Sequence, residues 1–381
     1  MINLNATSPA GDAKKLGMDD KQKILAVLKI PPPITGATVM NAAVFNAKQK
    51  WENGSVIFRT VSYAENIQDL GSFKLRKIIK YFRLLFSITG FLLKNRQTIL
   101  YFQTSIFGIS FLRDSLVLLV AKLLGKKRLV HLHGKGIKDY ASTHRWYRFW
   151  FHFLLQNQYA IVLTENQKQD IQWMKWSQIW VIPNGSIEAP FQKGGNIEQP
   201  YQWLFLSNLL LSKGIDDVLQ LACSLKNNEN WQGHIIGKEG DRDGEYIARF
   251  IKENQLQEKL FYHGALFGEE KWQRLAQSDV LIFPTYNEAF GLVAIEAMSV
   301  GIPVIAYKEG GLTEIIRDEK TGFLVSKGDW HCVRDRLLQY QDNPSLMKQH
   351  GQEGRHVFLS NFTMDCFIEK LYAVFDEISQ H

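Results

Sequence analysis

Apolar positions fall along the chain in two rhythms. Eleven runs of 5–8 residues are nearly unbroken in β-branched, aromatic and leucine side chains. In the first half they are KILAVLKI (23–30), SVIFRTV (55–61), TILYFQ (98–103), RLVHLH (128–133), YAIVLT (159–164) and QIWVIP (178–183). In the second half they are QWLFLS (202–207), GHIIG (233–237), KLFYHG (259–264), DVLIFP (279–284) and PVIAY (303–307). Segments of roughly 10–20 residues with helical spacing separate most of them. Strands too apolar to alternate are strands buried on both faces, and their regular exchange with helices predicts parallel sheets covered on both sides. There are enough strands for two such sheets. The stretch NGSIEAPFQKGGNIEQPY (184–201) lacks either rhythm and reads as the linker between them. The organisation expected is a polar tail over 1–20, a first α/β domain over 21–185, a linker over 186–200 and a second α/β domain over 201–360. Residues 361–381 are expected to form a helix that packs back on the first domain.

Charge sharpens this division. Residues 1–200 hold 27 Lys and Arg against 12 Asp and Glu, a balance of +15, and residues 201–381 hold 18 against 26, a balance of −8. Two domains of opposite sign point to different partners: the basic half suits an anionic surface or an acidic acceptor. It carries no nucleic-acid recognition motif, so no nucleic acid is expected as a partner. The three cysteines have neither metal nor disulfide spacing and read as reduced. The N-terminus shows no apolar leader, and a cytoplasmic location is the expectation.

In paired doubly wound sheets the ligand lies beyond the carboxyl ends of the strands, so the residues after each strand carry the chemistry. The richest of these segments is NEAFGLVAIEAMSVGIPVIAYKEGG (287–311). A helix is predicted to start near Phe290 or Gly291, with Glu288 before it and Glu296 in its second turn. Helical side chains lean toward the N-terminus of their helix, so both acids reach one mouth. The first-turn amides around Gly291, Leu292 and Val293 point there too, and a helix N-terminus receives a phosphate. Gly291 has no Cβ, which lets a ligand approach the backbone. The mouth thus offers acceptors for sugar hydroxyls and donors for a diphosphate. Taken alone, the two acids read first as those of an ordinary helix start and a solvated helix face. Gly310-Gly311 forms a second strand-to-helix turn, and Lys213-Gly214 opens a helix after FLSNLLLS (205–212).

With these strings the chain resembles the family 4 glycosyltransferases. NEAFGLVAIEAMSVGIPVIA looks like their motif of two glutamates separated by seven residues. FLSNLLLSKGIDDVL, VIPNG (181–185) and TGFLV (321–325) resemble further family segments, strongly over 200–330 and more faintly over 21–185. The resemblance implies a GT-B fold, two Rossmann-like domains facing across a cleft. It implies retaining transfer of a sugar from a nucleotide-diphosphate donor, a UDP-sugar by family frequency, to an acceptor hydroxyl of a glycan or lipid-linked acceptor, as in surface polysaccharide or glycolipid synthesis. Glu288 would touch the donor sugar, Glu296 the ribose diol, and Lys213 the diphosphate. No cofactor and no metal are then expected; the one Asp-x-Asp, Asp241-Arg242-Asp243, reads as a polar loop. His133 would reach the sugar, in preference to His131, and Glu165 is a candidate acceptor contact.

Two departures stand out. The family's Gly-Arg pair is here Ser207-Asn208, so Asn208 brings a hydrogen bond but no charge. Its paired glycines are here Gly36-Ala37, with Thr38 as the expected N-cap. Rival readings are another GT-B chemistry such as an epimerase, and a sugar-nucleotide-binding scaffold of weak activity. A dehydrogenase is disfavoured because no Gly-x-Gly-x-x-Gly follows the first strand. FKLRKIIKYFRLLFSITGFLLKNR (73–96) and HRWYRFWFHFLLQNQY (144–159) mix basic with apolar and aromatic residues. Such helices suit either a cover for the first sheet or a peripheral contact with an anionic membrane, and the uncharged core of the former is too short to span one.

Overall fold

The computed structural model describes residues 22–32, 35–51, 55–61, 75–194 and 200–380, with backbone only for 75–78. The expected polar tail over 1–20 lies outside the described residues.

The first domain runs β1 (Lys23–Lys29), α1 (Gly36–Asn46), β2 (Val56–Val61), α2 (Leu75–Lys94), β3 (Thr98–Thr104), α3 (Gly108–Leu123), β4 (Arg128–Leu132), α4 (Ile137–Thr143), α5 (Arg145–Leu155), β5 (Tyr159–Val162), α6 (Glu165–Ile171) and β6 (Gln178–Val181). The second runs β7 (Tyr201–Leu206), α7 (Ile215–Ser224), β8 (Trp231–Ile236), α8 (Gly244–Glu253), β9 (Leu260–Tyr262), α9 (Gly268–Gln277), β10 (Val280–Phe283), α10 (Leu292–Val300), β11 (Val304–Tyr307), α11 (Leu312–Ile315), β12 (Gly322–Val325), α12 (Trp330–Asp342) and α13 (Pro344–Asn361). A last helix, α14 (Met364–Ser379), follows. Each domain holds one six-stranded sheet, ordered β2-β1-β3-β4-β5-β6 and β12-β11-β10-β7-β8-β9. Every strand pairing is parallel.

Each sheet is buried on both faces, as the unbroken apolar runs require. Leu25 and Val27 belong to the core on one face of the first sheet, and Ile24, Ala26 and Leu28 to the core on the other. In β7, Trp203 and Phe205 divide from Leu204 and Leu206 in the same way. That is the two-residue period of a strand, with apolar side chains at both phases.

The chain crosses between the domains twice, and the crossings lie side by side. Ser186 N–H donates to Phe362 O at 2.9 Å, and Met364 N–H donates to Ser186 O at 2.9 Å. A Cβ on Gly185 would stand 2.7 Å from Thr363 O, so only glycine lets the two segments approach. Past this crossing α14 returns to the first sheet. Phe367, Leu371 and Phe375 are buried against Ile24, Ala26 and Tyr101.

Two local expectations need correction. The N-cap of α1 is Thr35, not Thr38. The two threonines form a reciprocal capping box, with Thr38 N–H donating to Thr35 Oγ1 at 3.2 Å and Thr35 N–H to Thr38 Oγ1 at 2.9 Å. The helix therefore starts earlier, at Gly36. α10 starts at Leu292, with Gly291 as its left-handed cap.

Candidate active site

The carboxyl ends of both sheets face one cleft, and a cavity of about 600 Å³ opens on the second domain's side of it. Its walls come from the loops after β1, β7, β8 and β9, from Gly185, Ser186 and Ile187 of the linker and from the starts of α9 and α10. Gly36, Asn208, Lys213, Leu292, Val293 and Glu296 all line it. The structure thus brings together six of the residues singled out in the sequence.

The floor is the start of α10. Gly291 has φ +112°, and a Cβ there would lie 2.5 Å from Leu312 Cδ2, so only glycine fits both the backbone angle and the space. Leu292 and Val293, whose first-turn amides have no carbonyl of their own helix to bond, both line the cavity. Gly36 packs over them: its Cβ position is 2.6 Å from Leu292 Cδ1. A bulkier residue would push the first domain's loop off the helix start.

Each acid is held by a lysine. Lys213 Nζ donates to Glu288 Oε2 at 2.8 Å and to Asn287 O at 2.8 Å. Gly214 fixes that lysine's position, since it has φ +79° and its Cβ would stand 2.0 Å from Pro284 O. Glu296 Oε1 accepts from Lys271 Nζ of α9 at 2.8 Å. Lys271 has no counterpart in the sequence reading, because its helix start is linked to Glu296 only through the fold. Both side chains of this pair are about one-fifth exposed, and both line the cavity.

Three of the expected residues stand apart. Phe290 is buried in the core, edge-on to Phe362 with ring centroids 6.2 Å apart; only its N–H faces the site, donating to Glu288 Oε1 at 3.3 Å. His133 lies at the end of β4 outside the cavity wall. Burial, and then the charge of Lys29, press its pKa down to about 3, so the ring is neutral. Its Nε2 is enclosed without a hydrogen-bond partner. His131 is a core histidine bonded to Tyr101 Oη at 2.8 Å. Glu165 points into solvent beside Lys168 at 3.3 Å, the ordinary helix-start arrangement. Asp241 and Asp243 both accept backbone N–H groups, from Leu211 and Tyr246. No cluster of metal-ligating side chains occurs among the described residues.

The cleft is bridged by groups that local sequence does not reveal. Both carboxylate oxygens of Glu314 cap α6 across the domains, accepting from Glu165 N–H and Asn166 N–H at 2.8 Å each. Gln167 Nε2 donates to Ala289 O at 3.2 Å. Lys135, two residues beyond His133, reaches from the first domain to Glu309 of the second. Glu309 is only 5% exposed and also pairs with Lys327.

Two facing parallel α/β domains, with a glycine-capped helix start and acids paired with lysines between them, are the arrangement of a GT-B fold. Residues 186–357, just under half of the chain, match the family model for glycosyl transferases group 1. Among curated relatives, it is 25% identical over 178 residues to N-acetyl-alpha-D-glucosaminyl L-malate synthase of Bacillus anthracis, covering 46% of this chain and 45% of that one. The matched part thus spans under half the length of that relative. Whole-chain likeness comes from structure. Sucrose-phosphate synthase of Thermosynechococcus elongatus superposes with a TM-score of 0.72 at 17% identity, over 94% of this chain and 99% of that one. HepE of Anabaena, in complex with UDP, gives 0.70 at 14% identity over 93% and 100%. These likenesses establish the GT-B fold.

Proposed function

We propose that the protein transfers a sugar from a nucleotide-diphosphate donor to an acceptor hydroxyl with retention of configuration, a UDP-sugar being the first donor to test. The observation that carries this reading is the convergence of Lys213, Glu288 and the α10 amides at one cavity mouth. In the reaction the bond from sugar C1 to the β-phosphate oxygen breaks, and its electron pair stays on that oxygen. The acceptor oxygen forms the new bond and its proton leaves with the released nucleoside diphosphate. Negative charge grows on the leaving diphosphate. Lys213 and the amides of Leu292 and Val293 are fixed in advance to meet it, which is electrostatic stabilisation by the protein's own groups. Glu296 accepts the ribose hydroxyls and Glu288 a sugar hydroxyl. Asn208 supplies a neutral donor at the cavity wall. His133, partly buried with its ring neutral, has no titrating role near neutral pH. Against a GT-B epimerase, release of nucleoside diphosphate should require an acceptor.

The donor class is read by a thermal-shift screen of UDP, GDP, ADP and their sugars. One base should raise the melting temperature in a saturable way, by linkage. No shift with any of them would overturn the donor reading.

For the acceptor we propose a lipid-linked glycan presented at an anionic membrane. α2, α3 and α5 lie side by side: Tyr81 Oη donates to Arg113 O, and Lys122 Nζ lies 4.3 Å from the Phe153 ring centroid. Their outer faces expose Phe86 (74%), Ile109 (79%) and Phe149 (68%), with Trp146, Leu112 and Leu93 between. The sole acid on the three helices is Asp114, which is buried and bound to Lys29 and Arg113. Exposed aromatic side chains ringed by cations fit a headgroup layer. No described helix is long and apolar enough to cross a membrane. Vesicles rich in anionic lipid should sediment the protein at low salt, and Phe86→Glu with Phe149→Glu should abolish this. Dimerisation through this face without vesicle binding would overturn the membrane reading.

A further inference from the structure

The cation that the family pattern leads one to expect at position 208 is absent, because Asn208 is neutral. The neighbourhood of Glu288 is nevertheless rich in positive charge, and one of its lysines comes from the opposite domain. Lys135 lies in the turn between β4 and α4. That turn is firmly placed. Ile137 N–H and Lys138 N–H both donate to the Asp170 carboxylate at 2.8 Å. A Cβ on Gly134 would stand 2.2 Å from Ile106 Cδ1. From this base the Lys135 stem crosses the cleft over the Gly310-Gly311 turn, its Cδ 3.6 Å from the Cβ position of Gly310. Gly310 in turn packs on the backbone of Glu288: its Cβ would lie 1.8 Å from Glu288 O. Lys213, Glu288, the Gly310 turn and Lys135 are therefore consecutive neighbours.

The partner of Lys135 has a second cation. Glu309 is buried and pairs with both Lys135 and Lys327, and Lys327 is also held near Tyr286 O at 3.3 Å. If Lys135 left, Lys327 would still neutralise Glu309, so no charge would be stranded in the interior. Lys135 is thus free to exchange a carboxylate for a phosphate at little cost. Its ammonium is already disfavoured in place: burial, then the charges of Lys327 and Lys213, lower its pKa, and Glu288 opposes them. An arriving diphosphate would relieve that.

We infer that Lys135 supplies the second cation for the donor diphosphate, taking from the facing domain the place that an arginine at position 208 would fill from the donor domain. This rests on the transferase reading above and deepens it. Donor binding then also ties the two domains together, since the cations on the diphosphate come from both. A donor that reached only the second domain would meet Lys213 and the α10 amides but half of the required charge.

The test is calorimetric titration of the intact chain with UDP, GDP and ADP. Lys135→Ala should weaken the best-bound nucleotide about 10- to 100-fold, as expected for losing one charged hydrogen bond to phosphate. Lys135→Arg should retain binding. Adding Asn208→Arg to Lys135→Ala should restore most of the loss, which no merely structural role of Lys135 would predict. Glu309→Gln should leave nucleotide binding intact or tighten it. Unchanged binding by Lys135→Ala overturns this inference alone. The same loss in Glu309→Gln, with no recovery from Asn208→Arg, would make Lys135 a strut between domains and also overturn it. Failure of the wild-type chain to bind any of the three removes the transferase reading and this inference with it.

Discussion

Lys213→Ala is expected to lower sugar transfer about 100- to 1,000-fold, the usual cost of removing one fixed donor of charge stabilisation. The lysine bonds Glu288 and Asn287 O, so its loss frees the acid as well as removing the cation. Glu288 would then be a half-buried carboxylate without its partner, which repels a diphosphate. The fold should survive, because the segment is set by Gly214 and the buried Ile215 rather than by the lysine. The measurement is release of nucleoside diphosphate from the donor chosen by thermal shift, with membrane lipid extract as acceptor. Circular dichroism and melting serve as controls. Lys213→Arg should recover part of the rate, since it keeps the charge in a different shape. Turnover equal to the wild type would sink the site assignment, whatever the fold.

Leu371→Ala should destabilise the first domain by about 2–5 kcal/mol, the range for emptying a leucine site in a core. Leu371 is fully buried on α14 among first-sheet residues, with Phe367 and Phe375 above and below it. The second domain shares little with this core, so chemical denaturation should show the earlier-melting transition displaced and the other unmoved. Two transitions, rather than one, are the natural behaviour of a chain with two cores. A change below ~0.5 kcal/mol, the level of a surface substitution, would show that α14 is not part of that core in solution.

The sheets were legible because a strand buried on both faces must be apolar at every position, and eleven runs of that kind are plain in the sequence. The twelfth strand, Gly322–Val325, escaped because four residues opening with glycine carry no period. The helix mouth was legible for a similar reason: Glu288, Gly291 and Glu296 are local to one strand-loop-helix unit. Lys271, Lys135, Glu309 and Glu314 were not. Each acts on a residue far away in the chain, and nothing in HGKG or KEGGLTE indicates which side of a cleft it will meet. The side chain of Phe290, which lies in the core while its N–H faces the site, was hidden for the opposite reason. A motif position says that a residue is near the ligand, but burial decides whether its side chain or only its backbone is presented.

The return of α14 has a consequence for the order in which the protein can be made. One face of the first sheet, with Ile24, Ala26 and Leu28, is covered in part by α1, through Met40 and Val44, and in part by a helix that begins at Met364. About 180 residues, the whole second domain, lie between the last strand of that sheet and this last helix. At the usual pace of about 5–20 residues per second, the ribosome needs roughly 10–40 s to supply them. During that time this face of the first sheet has α1 as its cover but lacks α14, while the second domain, whose parts are contiguous, becomes complete. Completion of the first domain's core thus waits on a helix made after the second domain.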